Sequence, residues 1–193
     1  AHAALAQVHF YYDWNWMAAR QQFEAAVRLD PSDADAHQQF GWFLASQGRF
    51  DEALVQTRLA RELDPLSPTR RSPVAAVLYY AGRHGEAIAE LDQALAVLSD
   101  YRTAHFGKAR AYAALGRTAD ALRELEASAR GESVLFQVEL ARVRAQAGDE
   151  ARALTVLAEL ERRRASAPDS VPPDALAILN AALGRTDRAL QLV

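Results

Sequence analysis

Phe40-Gly41-Trp42-Phe43-Leu44 runs into Gly48-Arg49, then through Ala53, Thr57 and Ala60 to Leu63-Asp64-Pro65. Apolar residues recur at helical spacing on both sides of the glycine: Phe40, Phe43 and Leu44 before it, Ala53, Leu54, Thr57 and Ala60 after it. The stretch therefore reads as helix, turn, helix. Gly48 supplies the left-handed backbone that ends the first helix. Asp51-Glu52 put acid in the first turn of the second, where the helix dipole favours negative charge.

The same marks recur outward from this stretch. Leu29-Asp30-Pro31 lies 34 residues before Leu63-Asp64-Pro65. Gly48-Arg49 is followed by Gly82-Arg83 and Gly116-Arg117 at steps of 34, then by Gly148-Asp149 after 32 and Gly184-Arg185 after 36. Five residues beyond each glycine stands Ala53, Ala87, Ala121, Ala153 or Ala189; Ala19 holds that place in a first unit that has Trp14 instead of glycine. The two off-length steps fall at Gly131-Glu132 and in Ser166–Pro173, where loops absorb insertions and deletions. A period of this length marks a repeat array, and no strand-like alternation competes with it. The expected units are 1–33, 34–67, 68–101, 102–133, 134–169 and 170–193, the last cut short inside its second helix at Val193.

Composition narrows the chemistry. Of 193 residues half are apolar, with 42 alanines, 21 arginines, one lysine (Lys108) and no cysteine. Without cysteine there is no disulfide scaffold, thiolate metal site or cysteine nucleophile. A net charge of −3 argues against a nucleic-acid stripe and a membrane-attracted basic surface. No apolar run approaches the roughly 20 residues of a membrane span.

On the 34-residue period, the Gly and Ala marks and the paired large and small places Phe40-Gly41, Val74-Ala75, Lys108-Ala109, Leu140-Ala141 and Leu176-Ala177, the chain resembles the tetratricopeptide repeat family. The resemblance covers nearly all residues and implies an all-α, right-handed α-solenoid of about six helical hairpins. The first unit, with Phe10-Tyr11-Tyr12-Asp13-Trp14-Asn15-Trp16, is also similar to repeat arrays at the C-termini of bacterial signalling proteins that carry winged-helix regulators, cyclases or kinases. That implies the docking or sensor part of a larger protein, in the cytoplasm, or in the periplasm if the parent is membrane-anchored.

Catalytic groups are sparse. His37 and His105 share one repeat position, so their spacing reports packing, with a backbone partner for each imidazole. His2 and His9 lie near the chain start without a third ligand, and His84 sits in a turn as a solvated residue. No phosphate loop, nucleophile elbow or His-Glu-x-x-His motif occurs. The expectation is a non-enzyme with no cofactor and no metal. Glu161-Arg162-Arg163-Arg164 reads as a helix C-terminus whose arginines favour the negative dipole end, in preference to an acid-binding corner or a kinase site at Ser166.

The resemblance also places the partner surface. In this family the groove is lined by the second, fifth, ninth, twelfth and thirteenth places of each first helix. These places hold Tyr12, Gln38, Trp42, Tyr79, Tyr80 and Phe106, followed by Arg110 and Arg142. Exposed Tyr and Trp dominate binding hot spots, and arginine forks onto carboxylate or phosphate. Phe23, Phe40 and Phe43 are assigned to the core. The family's Lys/Asn carboxylate clamp is missing, since the ninth places are Val8, Trp42, Ala76, Arg110, Arg142 and Ile178. The expected partner is a protein or peptide segment, not nucleic acid or membrane. Two other readings stand beside it: a structural element that homodimerises through the array ends, and a regulatory small-molecule sensor.

Overall fold

In a computed structural model, residues 1–128 and 133–192 are described. They form helices without a strand, paired as hairpins. In order these are α1 (His2–Tyr11) with α2 (Trp16–Leu29), α3 (Ala34–Ser46) with α4 (Phe50–Leu63), and α5 (Arg71–Tyr80) with α6 (His84–Val97). Then come α7 (Arg102–Ala114) with α8 (Thr118–Ser128), α9 (Val134–Gln146) with α10 (Glu150–Ser166), and α11 (Pro173–Ala182) with α12 (Thr186–Leu190). Short 3-10 turns at Pro68–Arg70 and Pro168–Ser170 precede α5 and α11. The expected loop at Gly131-Glu132 lies outside the described residues, as does Val193. The short last helix ends at Leu190, and Gln191 and Leu192 form a turn beyond it, where the sequence had suggested helix to the end.

The glycine marks act as read. Gly48, Gly82, Gly116, Gly148 and Gly184 all have φ between 71° and 84°, the left-handed region that favours glycine. Trp14, at the same place in the first unit, takes φ 51° without being glycine. The backbone demand belongs to the hairpin and is met even by a residue that resists it. Asn15 then caps α2, its side-chain oxygen accepting from the Ala18 amide at 3.1 Å. In later hairpins an arginine after the glycine grips an acid three residues on: Arg49 with Glu52 at 2.5 and 2.6 Å, and Arg83 with Glu86 at 2.7 and 2.6 Å. The Arg83 hydrogen bond holds the Glu86 carboxyl below its ordinary value. Arg117 does the same for Asp120. At the Leu-Asp-Pro turn, the Ser32 hydroxyl and amide both donate to Asp30 and lower its pKa.

The helices divide into two compact units, 1–107 and 108–193. In the first, α1 packs on α2, α3 on α4 and α5 on α6, with α3 also touching α1 and α5. Its core joins Phe23, Phe40, Phe43, Leu44, Leu54, Val74, Leu78 and Leu91 around the small residues Ala19, Ala53 and Ala87. Phe23 stacks on Phe40 with centroids 5.7 Å apart, and Phe10 meets Phe43 edge-on at 5.4 Å. A fully buried ring or leucine such as Phe23 or Leu44 is worth about 1.5–3 kcal/mol. In the second unit α9 packs on α10, α11 on α12, and α9 on both α8 and α11. Its core is Val138, Leu157, Leu160, Val171, Leu176 and Leu179 with Ala141 and Ala153 at the crossings. The all-α hairpin array expected from the period is the observed architecture within each unit.

Candidate partner-binding surface

In the first unit α3 brings one face of its helix to the surface while Phe40, Phe43 and Leu44 go to the core. Trp42 is thereby left half-buried on the opposite side. It lines an open cavity of about 380 Å³ together with Ala45, Ser46, Phe50 and Tyr80. The cavity floor is apolar and aromatic, with the Ser46 hydroxyl turned away to donate to the Phe43 carbonyl at 2.7 Å. Tyr80 is 53% exposed, so its ring forms a wall that a ligand could cover. Tyr79 sits edge-on to Tyr80 at 5.5 Å and tilted on the His84 ring at 5.1 Å. His84 is not the solvated residue expected: it opens α6, and its Nδ1 is buried with no hydrogen-bond partner. The Tyr79 contact brings that ring inward.

The remaining residues named from the sequence are placed less uniformly. Tyr12, just past the end of α1, is 79% exposed and does not line the cavity. Gln38 accepts a hydrogen bond from Arg70 Nη1 at 2.9 Å. Arg70 also reaches Asp35 at 2.8 Å and Asp64 at 3.4 Å. Partial burial pulls its guanidinium pKa down, and the Asp35 and Asp64 contacts outweigh that and raise it. Phe106 is half-buried on α7.

In the second unit, Arg110 on α7 is half-buried, and Arg142 on α9 forks onto Glu139 of its own helix at 3.0 and 2.6 Å. Lys108 stands where Phe40, Val74, Leu140 and Leu176 stand in other hairpins, yet it is buried with Nζ 2.6 Å from Glu124. A second cavity of about 490 Å³ there is lined by Glu161, Arg164, Leu176, Arg188 and neighbours.

Phe50 and Arg70 were not singled out from the sequence, and His84 was read there as a solvated turn residue. For Phe50 the signal was present: at this place a large ring stands only in the first two units, as Trp16 and Phe50, while the later units carry His84, Thr118, Glu150 and Thr186. Arg70 and His84 depend on partners that only folding supplies.

The histidines at the shared repeat position behave as packing residues. His37 Nε2 lies 3.1 Å from the Pro31 carbonyl and His105 Nε2 lies 3.0 Å from that of Ser99. The arginine cluster at the end of α10 donates to main-chain carbonyls, Arg164 to Val171 at 2.6 Å, Arg163 to Ser170 and Arg162 to Ala158 at 3.3 Å each. The Ser166 hydroxyl donates to the Arg163 carbonyl. Among the described residues no three His, Asp or Glu are grouped to hold a metal, and no helix is long and apolar enough to cross a membrane.

Two family models, both described as tetratricopeptide repeat, match residues 9–68 and 78–132, together more than half of the chain. The chain belongs to the tetratricopeptide repeat family. Among curated proteins it is similar to Superkiller complex protein 3 of Mus musculus, 33% identical over 96 residues, which is half of this chain. The chain spans 6% of the length of that relative.

Solved tetratricopeptide folds resemble it over almost its whole length. PilW, a type IV pilus biogenesis factor, aligns with TM-score 0.76 and 22% identity over 99% of this chain and 88% of its own. TTC0263, a thermophilic repeat protein of Thermus thermophilus, aligns with TM-score 0.73 and 20% identity over 98% of this chain and 97% of its own. YrrB, described as having an unusual peptide-binding site, aligns with TM-score 0.59 and 16% identity over 98% of this chain and 89% of its own. Tetratricopeptide repeats are generally non-catalytic scaffolds that bind protein or peptide partners. Membership of this family supports an interaction module that binds other proteins.

Proposed function

We propose that the first unit docks a peptide or protein segment in the concave groove lined by its first helices, with Trp42 and Tyr80 as anchors. The observation that carries this reading is the open aromatic cavity lined by Trp42, Phe50 and Tyr80. Large rigid rings around a concavity give wide contact area at low entropy cost, which is why Trp and Tyr concentrate binding energy. None of the cavity's lining residues, Trp42, Ala45, Ser46, Phe50 and Tyr80, is charged. The lining therefore suits an uncharged segment carrying an aromatic or branched aliphatic side chain. Tyr12, Gln38, Tyr79 and Phe106 extend the same reading along α1, α3, α5 and α7. In the second unit, taken by itself, Arg110 and Arg142 are proposed contacts for acidic groups. The wider role is non-catalytic docking within a larger bacterial signalling protein, on the likeness of the first unit's Phe10–Trp16 run to such arrays.

The test is selection of peptides from a randomised displayed library on the wild-type chain. Selected peptides are expected to carry an apolar anchor and to lose about tenfold or more in affinity for Trp42→Ala and for Tyr80→Ala, a loss in the range of hot-spot residues. Melting temperatures of both variants should stay within a few degrees of wild type. Peptides that bind both variants as tightly as wild type would show that the cavity is not the docking site.

A further inference from the structure

The outward faces of the second helices differ. α2 presents Gln21, Ala25 and Leu29 one turn apart, α6 presents Ala89, Gln93 and Val97, and α10 presents Thr155, Glu159 and Arg163. On α4 alone among these, the same three places are all large and apolar: Val55, Leu59 and Leu63, exposed by 55%, 37% and 42%. Residues four apart on an α-helix advance by about 40°, so the three make one stripe along the solvent side. Leu66, just beyond the helix end, is also exposed, by 86%. Scattered exposed leucines are ordinary, but a row of them on one helix marks a contact surface.

The charges beside the stripe indicate what covers it. By helical geometry Arg58 and Glu62 lie on one flank, one turn apart, and Gln56 lies on the other, uncharged. Two copies of α4 laid antiparallel about a two-fold axis at Leu59 bring Val55 of one opposite Leu63 of the other. The same operation sets Arg58 of each copy beside Glu62 of its mate, twice. An isologous contact of this kind needs a self-complementary patch, and here both the apolar row and the flanking charges are self-complementary. Glu52, near the start of the stripe, is held by Arg49. Glu62 lies 3.9 Å from Arg61, too long for a strong pair, and Arg61 is engaged at 2.6 Å by Glu90.

We propose that the outward face of α4 is a self-association surface, occupied by α4 of a second copy of this chain in antiparallel register, with reciprocal Arg58–Glu62 pairs. It is separate from the Trp42 cavity and does not rest on the peptide reading.

Sedimentation equilibrium of the whole chain tests it over about 1 µM to 1 mM, the range in which small interfaces associate. The wild-type weight-average mass should rise toward twice the monomer mass as concentration increases. Leu59→Glu should remain monomeric. Arg58→Glu and Glu62→Arg should each weaken association by about tenfold, because each sets like charges against one another. An equimolar mixture of those two variants should associate more tightly than either alone, since a flank with two carboxylates then faces one with two guanidiniums. Helix content by circular dichroism confirms that each variant is folded. A wild-type chain that stays monomeric throughout, or a mixture no tighter than its components, overturns the proposal.

Discussion

At the scale of single residues, five glycines and one tryptophan set the turns. Gly82 has φ 75°, and a Cβ built there meets no heavy atom within 4 Å. The cost of a side chain is therefore almost purely conformational. Gly82→Ala should destabilise the chain by about 1 kcal/mol in a urea titration. Trp14, at φ 51° and mostly exposed, is the converse case. Trp14→Gly should stabilise by about 0.5 kcal/mol, the relief of left-handed strain being partly offset by the freer unfolded chain. A neutral Gly82→Ala would mean that the turn does not depend on left-handed backbone. Gly82 was legible in the sequence, because glycine marks a local requirement for positive φ; the left-handed backbone of Trp14 was not, because its residue type argues against it. Lys108 was not. It occupies a core place in the repeat register, and only the folded second unit brings Glu124 within 2.6 Å to hold its charge. Burial of such a pair makes it costly to break from one side, whatever its net contribution.

At the scale of elements, α3 and α4 cross closely because of Gly41. A Cβ added there would lie 2.5 Å from Thr57 Cγ2 and 3.2 Å from the Ala53 carbonyl oxygen. Thr57 is fully buried, with its hydroxyl donating to that same carbonyl at 3.0 Å, so it has little room to retreat. The third, fourth and fifth hairpins carry Ala75, Ala109 and Ala141 at the place of Gly41, and Leu91, Leu125 and Leu157 at the place of Thr57. Gly41→Ala should cost about 1–3 kcal/mol, the usual range for overpacking. Adding Thr57→Ser removes the clashing methyl and keeps the hydroxyl, so the double variant should recover much of the loss. A double-mutant cycle by chemical denaturation measures the coupling, and strict additivity would contradict direct contact. Helix identity and the place of each turn were readable from periodicity. The distance between helices was not, since it depends on which pair of side chains meets at the crossing.

At the scale of the whole molecule, repeat stability is approximately the sum of each hairpin and its contacts with neighbours. The first unit's core is rich in large groups, with Phe23, Phe40, Phe43, Leu44 and Leu78 all buried. The second unit's core is aliphatic and interrupted by buried Glu139 and Asn180, whose Oδ1 has no hydrogen-bond partner. Native-state hydrogen exchange should therefore find slower amides in α3, α4 and α5 than in α9 and α11. Equal or reversed protection would show that these cores do not set local stability. The 34-residue period by itself determined the helical hairpins, their turns, the family and the aromatic core, because each follows from residue types repeated in one register. Only the tertiary structure decided that Trp42 shares a cavity with Phe50 and Tyr80, that Arg70 binds Gln38, Asp35 and Asp64, and that His84 turns inward. These depend on side chains up to 38 positions apart in the sequence meeting in space, which a pattern along the chain does not encode.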